Sequence, residues 1–140
     1  NQIKAIKQRY GLEYFVIDAW NKIEHADDKT SYIGKCLDEI VAFCEINNVH
    51  CFLVAHPTKI KKNINTGKYE VPTLYDIAGS ANFYNKADNG ICVYRDFEEQ
   101  KTYVHIQKIK FDHWGTESCA VFTYDVKSKR YQSDTPDLGS

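Results

Sequence analysis

Two polar residues stand where a phosphate-handling site would need them. Asp18 closes the run Tyr14-Phe15-Val16-Ile17-Asp18, and His56 closes Cys51-Phe52-Leu53-Val54-Ala55-His56. Apolar runs that end in one polar residue read as central parallel strands, buried on both faces, whose last residue emerges at the carboxyl edge of the sheet. In open α/β sheets that edge is where ligands bind. An aspartate there can hold a magnesium ion through water beside a nucleoside triphosphate, and the ion neutralises charge on the phosphoryl group in transfer. A neutral imidazole on the next strand can touch the terminal phosphate or its attacking water and report the event to the loop behind it. Each residue also has a plainer role, Asp18 capping the next turn and His56 satisfied at a strand end. His25, His50, His105 and His113 carry only that plainer reading.

Further cations follow. Lys59, Lys61, Lys62 and Lys68 make the stretch 57–72 locally basic, and Gly79-Ser80 comes soon after. A flexible basic loop beside the backbone amides of a Gly-Ser turn can track a single-stranded phosphate backbone. On composition alone it is equally a solvated loop. Lys108 and Lys110 lie two apart on a late strand, hence on one face, and can reach a phosphate across a subunit boundary or simply discourage edge-to-edge aggregation. A Cys/His hydrolase finds little support, because no cysteine has a nucleophile-elbow or glycine-flanked context.

The elements that must position these residues are legible from spacing. Ile3, Ile6 and Tyr10 recur at helical intervals and Gly11 follows as a stop, so residues 2–10 form a helix feeding a strand at 13–18. Thr30 or Ser31 caps a helix whose apolar face is Ile33, Leu37, Ile40, Val41 and Cys44, and a strand at 49–55 follows. This is a β-helix-β unit with parallel strands. Residues 57–73, with Pro57, Gly67 and Pro72, read as a long mobile loop. A short helix near 80–87 precedes strands near 90–95, 102–110 and 118–124, the last two patterned as antiparallel edge strands, and the tail from Ser133 is turn-like.

Composition excludes several classes. With 18 Lys+Arg against 19 Asp+Glu in 140 residues, no overall basic footprint for duplex exists, so nucleic-acid contact must be local. Five scattered cysteines lack zinc or disulfide spacing and read as reduced, mostly buried thiols of a cytosolic protein. No apolar run approaches the roughly 20 residues of a membrane span, and no signal-peptide pattern opens the chain. A chain without methionine that begins Asn1-Gln2-Ile3 reads as a fragment of a longer protein.

Taken in order, Phe15-Val16-Ile17-Asp18, Leu53-Val54-Ala55-His56, Gly79-Ser80-Ala81 through Asn85-Lys86-Ala87-Asp88, Val93-Tyr94-Arg95-Asp96 and Gln107-Lys108-Ile109-Lys110-Phe111 resemble the carboxyl-terminal two-thirds of the RecA-like ATPase domain of hexameric replicative helicases, of the phage primase-helicase and Twinkle kind. The resemblance runs from about Tyr14 to Tyr131. It implies that Asp18 is the Walker B acid on magnesium and nucleotide, that His56 couples γ-phosphate to the DNA loops, and that 79–88, with Gly79, Ser80, Asn85 and Lys86, lines a channel for single-stranded DNA beside Lys59, Lys61 and Lys62. It implies too that Arg95 and Tyr124 sandwich adenine and that Lys108 and Lys110 reach the neighbouring subunit's nucleotide. The second of that pair is usually an arginine finger, and lysine lacks the planar bidentate contact. No G-x-x-x-x-G-K-[ST] loop occurs in the chain, so the isolated fragment is expected to be inactive.

The expected fold is therefore α/β and RecA-like (a P-loop NTPase), a mainly parallel sheet with helices on both faces and C-terminal antiparallel strands, truncated at its N-terminus. Residues 1–132 would be a partial ATPase domain and 133–140 a tail. The expected cofactors are ATP and Mg2+, and the expected partners are single-stranded DNA, a hexameric ring of copies and a primase region in cis, in the cytoplasm of a bacterial host of a phage or prophage. The alternatives are another RecA-like ATPase, such as a recombinase or plasmid-type helicase, and a non-catalytic RecA-fold module for assembly or nucleic-acid binding.

Overall fold

The computed structural model describes residues 2–22, 30–58, 60–77 and 80–134. Helix α1 (Gln2–Tyr10) ends where Gly11 takes a φ of 71° and donates its N–H to the Lys7 carbonyl at 2.8 Å, a left-handed cap that glycine adopts without a Cβ penalty. Strand β1 (Tyr14–Asp18), helix α2 (Thr30–Asn47) and strand β2 (His50–Val54) form the expected β-helix-β unit, with β1 and β2 parallel and Asp18 opposite Val54. The Lys7 ammonium donates to the carbonyls of Asn47 and Asn48, tying α1 to the end of α2.

These two strands are not buried on both faces. Burial alternates along each of them, and Tyr14 and Phe52 remain 61% and 49% exposed on the outer face. The reason is pairing and cover: β1 and β2 bond only to each other among the described residues, and α2 covers one side, where Phe15 meets Phe43 edge-on at 6.1 Å. Apolar runs carry no information about which neighbours are present.

A second correction concerns the sheet. Strands β3 (Asn89–Asp96), β4 (Lys101–Ile109), β5 (Ser118–Asp125) and β6 (Arg130–Ser133) form a separate antiparallel sheet in sequence order, so among the described residues the parallel part is the smaller one. Strand β4 lies between β3 and β5, and β5 between β4 and β6, so neither is the edge strand that its alternation implied. The fourth strand comes from what reads as turn and tail. Asp125 Oδ1 accepts from the Lys127 N–H, Lys129 takes a φ of 56°, and Arg130–Ser133 folds back on β5.

The core joins the two halves of the chain. Trp20 lies in a 3-10 turn (Trp20–Lys22) after β1, and with Ile33 and Leu37 of α2 and Phe83 of helix α3 (Ser80–Lys86) it forms the buried cluster. Trp20 and Phe83 meet edge-to-face at 5.5 Å, the arrangement the ring quadrupoles favour. A Cβ at Gly34 would lie 3.2 Å from Asn82 Oδ1; its absence lets α3 come close enough for Asn82 Nδ2 to donate to the Thr30 carbonyl at 2.8 Å. No helix among the described residues is long and apolar enough to cross a membrane.

Candidate functional site

Asp18 and His56 do come together at the carboxyl edge of adjacent parallel strands. Asp18 is the last residue of β1, exposed, and its peptide to Ala19 is cis. His56 lies two residues beyond β2, also exposed. Asn21 links the two strand ends. The His56 backbone N–H donates to Asn21 Oδ1 at 2.7 Å, and Asn21 Nδ2 donates to the His56 carbonyl at 3.3 Å. Among the described residues no group of three or more His, Cys, Asp or Glu side chains could hold a metal ion by itself.

The basic stretch after His56 is ordered. Thr58 donates from both N–H and hydroxyl to the Asp76 carbonyl, at 2.8 and 3.1 Å, which closes the base of the loop. Within it a small hairpin pairs Lys62 with Tyr69, with Gly67 at a φ of 69° in its turn. Asp76 caps the following 3-10 turn (Leu74–Asp76), accepting from the Thr73 N–H at 2.7 Å and hydroxyl at 2.9 Å, and these hydrogen bonds hold its carboxyl below the usual range. Lys61 is exposed, and the Lys62 ammonium lies 5.6 Å from the centre of the Tyr69 ring. Lys68 turns away from any ligand: it is ion-paired to Glu98 at 3.2 Å and to Asp96 and Glu99 at 3.6 Å, in the acidic turn between β3 and β4. Its pKa is raised, first by the hydrogen bond to Glu98. Lys59 and Gly79 lie outside the described residues, and of Ser80 only its place at the start of α3 is described.

Asn85 is exposed on α3, whereas Lys86 is ion-paired to Asp38 of α2. The basic pair on β4 is likewise engaged within the chain. Lys108 donates to the Tyr84 carbonyl and lies 4.8 Å from the centre of that ring, which stacks on Tyr75 at 4.6 Å. Lys110 donates to Asp88 at 2.6 Å, and this contact raises its pKa. The structure thus sets Lys108 and Lys110 against the end of α3, both on intrachain partners.

Arg95 and Tyr124 are brought together, although β4 separates their strands. The Arg95 guanidinium lies 5.8 Å from the centre of the Tyr124 ring and 5.1 Å from that of Phe97, and Tyr124 also packs on Tyr131 at 4.9 Å. An open groove of about 520 Å³ lies instead beside Tyr75, Tyr84, His105 and Gln107, and it is lined by none of Asp18, His56, Arg95 or Tyr124. Cys119 Sγ stands 3.9 Å from His105 Nε2 there, beyond the reach of about 2.6–3.2 Å that a nucleophile and its base require. All five cysteines are free, and none is fully buried.

Sequence reasoning missed Asn21, the acidic partners Asp38 and Asp88, and the clasp on Lys68. The acidic run Asp96-Phe97-Glu98-Glu99 between two strands was a usable signal for the clasp; the partner of Lys86 lies on an element 48 residues away and left none.

No family model matches the chain. Over 95% of its length it is 34% identical to the "Twinkle homolog protein, chloroplastic/mitochondrial" of Arabidopsis thaliana, of which it spans 19%. Its fold matches a solved structure of a helicase ATPase domain with a TM-score of 0.71 and 15% identity, covering 93% of this chain and 48% of that one. The chain thus spans about a fifth of the curated relative and about half of the matched structure. Both findings support a RecA-like replicative-helicase core, the resemblance carried by the motif order.

Proposed function

We propose that this chain is part of an ATP-dependent replicative DNA helicase of the phage or prophage primase-helicase type, which couples ATP hydrolysis to movement on single-stranded DNA as a hexameric ring. The observation that carries this reading is the pairing of Asp18 and His56 at the ends of adjacent parallel strands, joined through Asn21. Asp18 offers a single exposed carboxylate, which suits Mg2+ arriving with the nucleotide, since that ion keeps several waters and takes one or two protein carboxylates. When bound, the ion would offset charge on the phosphates. Arg95 and Tyr124 hold the adenine between a guanidinium and a ring, and His56 senses the terminal phosphate at the start of the basic loop. Lys61 and Lys62, with Lys59, Gly79, Ser80, Asn85 and Lys86, contact DNA phosphates, Lys86 after leaving Asp38. Lys108 and Lys110 exchange Tyr84 and Asp88 for the nucleotide of the neighbouring copy.

The test uses the full-length protein. ATP turnover should require Mg2+, rise with single-stranded DNA and vanish in Asp18→Ala without loss of folding. Mixing Asp18→Ala with Lys110→Ala subunits should restore part of the activity, because a mixed ring contains interfaces that keep both intact residues. Turnover that persists in Asp18→Ala would refute the reading, and a folded wild-type protein without ATPase would point to a non-catalytic module.

A further inference from the structure

The contact between Asn21 and His56 does more than bring two strand ends close. His56 lies beyond the last β1–β2 ladder pair, Asp18 with Val54, so nothing in the ladder orients its peptide. The Asn21 carboxamide does so from both sides, accepting from the His56 N–H at 2.7 Å and donating to the His56 carbonyl at 3.3 Å. An amide gripping a peptide at two points fixes direction as well as distance, because its acceptor and donor are set by one rigid plane. The base of that arm is fixed too. Asn21 follows Trp20, which is buried edge-on against Phe83, and close-packed interiors transmit displacement rather than absorb it.

We propose that Asn21 is a positioning residue that sets the direction in which His56 leaves the sheet and thereby couples the turn behind Asp18 to the basic loop. The link continues in the chain: His56 is followed by Pro57 and by Thr58, which is held on the Asp76 carbonyl at the far end of the loop. A shift of the Trp20–Lys22 turn therefore reaches both ends of the loop through hydrogen-bonded contacts. The inference rests on the reading of His56 as the residue that couples nucleotide to DNA.

The experiment measures, in the full-length protein, the ratio of ATP turnover with single-stranded DNA to turnover without it, for Asn21→Ala, His56→Ala and the double variant. Loss of the grip should lower the ratio by about five-fold, the equivalent of one net hydrogen bond, and add nothing further in the His56→Ala background. An Asn21 that served stability alone would lower the melting temperature and leave the ratio unchanged. Asn21→Asp keeps the acceptor for the His56 N–H and loses the donor, so its ratio should fall between wild type and Asn21→Ala. If Asn21→Ala does not fold, Asn21→Asp in both backgrounds decides by the same comparison. A ratio unchanged by Asn21 substitution while His56→Ala lowers it would overturn the inference alone, as would an equal fall in both backgrounds. A ratio unchanged in His56→Ala would overturn the reading of His56 and this inference with it.

Discussion

Gly90→Ala should destabilise the protein, and the loss should disappear when Leu74 is shortened. Gly90 is buried at the irregularity in the β3–β4 pairing, where the register shifts before Ile91. A Cβ there would overlap Leu74 Cδ1 and stand 3.2 Å from Leu74 Cγ and 3.3 Å from Lys108 Cβ. Rotation of the Leu74 terminus alone does not clear Cγ, so the 3-10 turn that carries it must shift. Overpacking of this kind costs about 1–3 kcal/mol. The φ of Gly90 is not in the left-handed region, so alanine also gains about 0.4–1 kcal/mol by restricting the unfolded chain. The net expectation is a loss of roughly 0.5–2.5 kcal/mol. In a Leu74→Ala background only the tight Lys108 contact remains, and the same substitution should be close to neutral. Urea midpoints of the four proteins in the double-mutant cycle measure this directly. An equal cost in both backgrounds, or stabilisation of the wild type by Gly90→Ala, would refute the packing argument.

Neutralising Lys61 and Lys62 in the full-length protein should flatten the salt dependence of single-stranded DNA binding by about 0.7 per lost phosphate contact, read as the slope of log affinity on log salt. Lys68→Ala should leave that slope unchanged, because its ammonium is held by Asp96, Glu98 and Glu99. The Tyr103 hydroxyl donates to Glu99 at 2.6 Å, and this bond, with desolvation, pushes its pKa up to about 12. The folded value is raised, so the stabilisation is present below the unfolded tyrosine value of about 10 and is lost as pH rises through the folded one. Glu99→Gln should bring the phenol down toward the ordinary value in an ultraviolet titration. Alkylation at neutral pH should label exposed Cys119 well before Cys51, whose thiol desolvation pushes up to about 11; mass spectrometry of partly labelled protein gives the order.

The parts of the fold that were legible are those whose signal is local. Gly11 ends α1, the helical spacing from Ile33 to Cys44 sets the buried face of α2, and Asp18 and His56 end their apolar runs where the strands end. What escaped depends on contacts distant in sequence. An exposed outer face on β1 and β2 follows from which neighbours are present, and the central place of β5 follows from β6, four residues that pair only once the turn at 126–129 reverses the chain. The candidate site divides the same way. The acid and the imidazole announce themselves as polar residues closing apolar runs, but the asparagine between them is one polar residue in a polar stretch. The lysines were visible as charges; that Lys68, Lys86, Lys108 and Lys110 are each engaged within the chain was not.

The most direct measurement of the central claim is strand separation by the full-length protein on a forked DNA duplex with ATP and Mg2+. The account predicts displacement of the labelled strand that requires hydrolysable ATP and is abolished by Asp18→Ala in protein that remains folded. ATP-independent displacement, displacement by Asp18→Ala, or hydrolysis of ATP with no strand displaced from a fork of either polarity would contradict it.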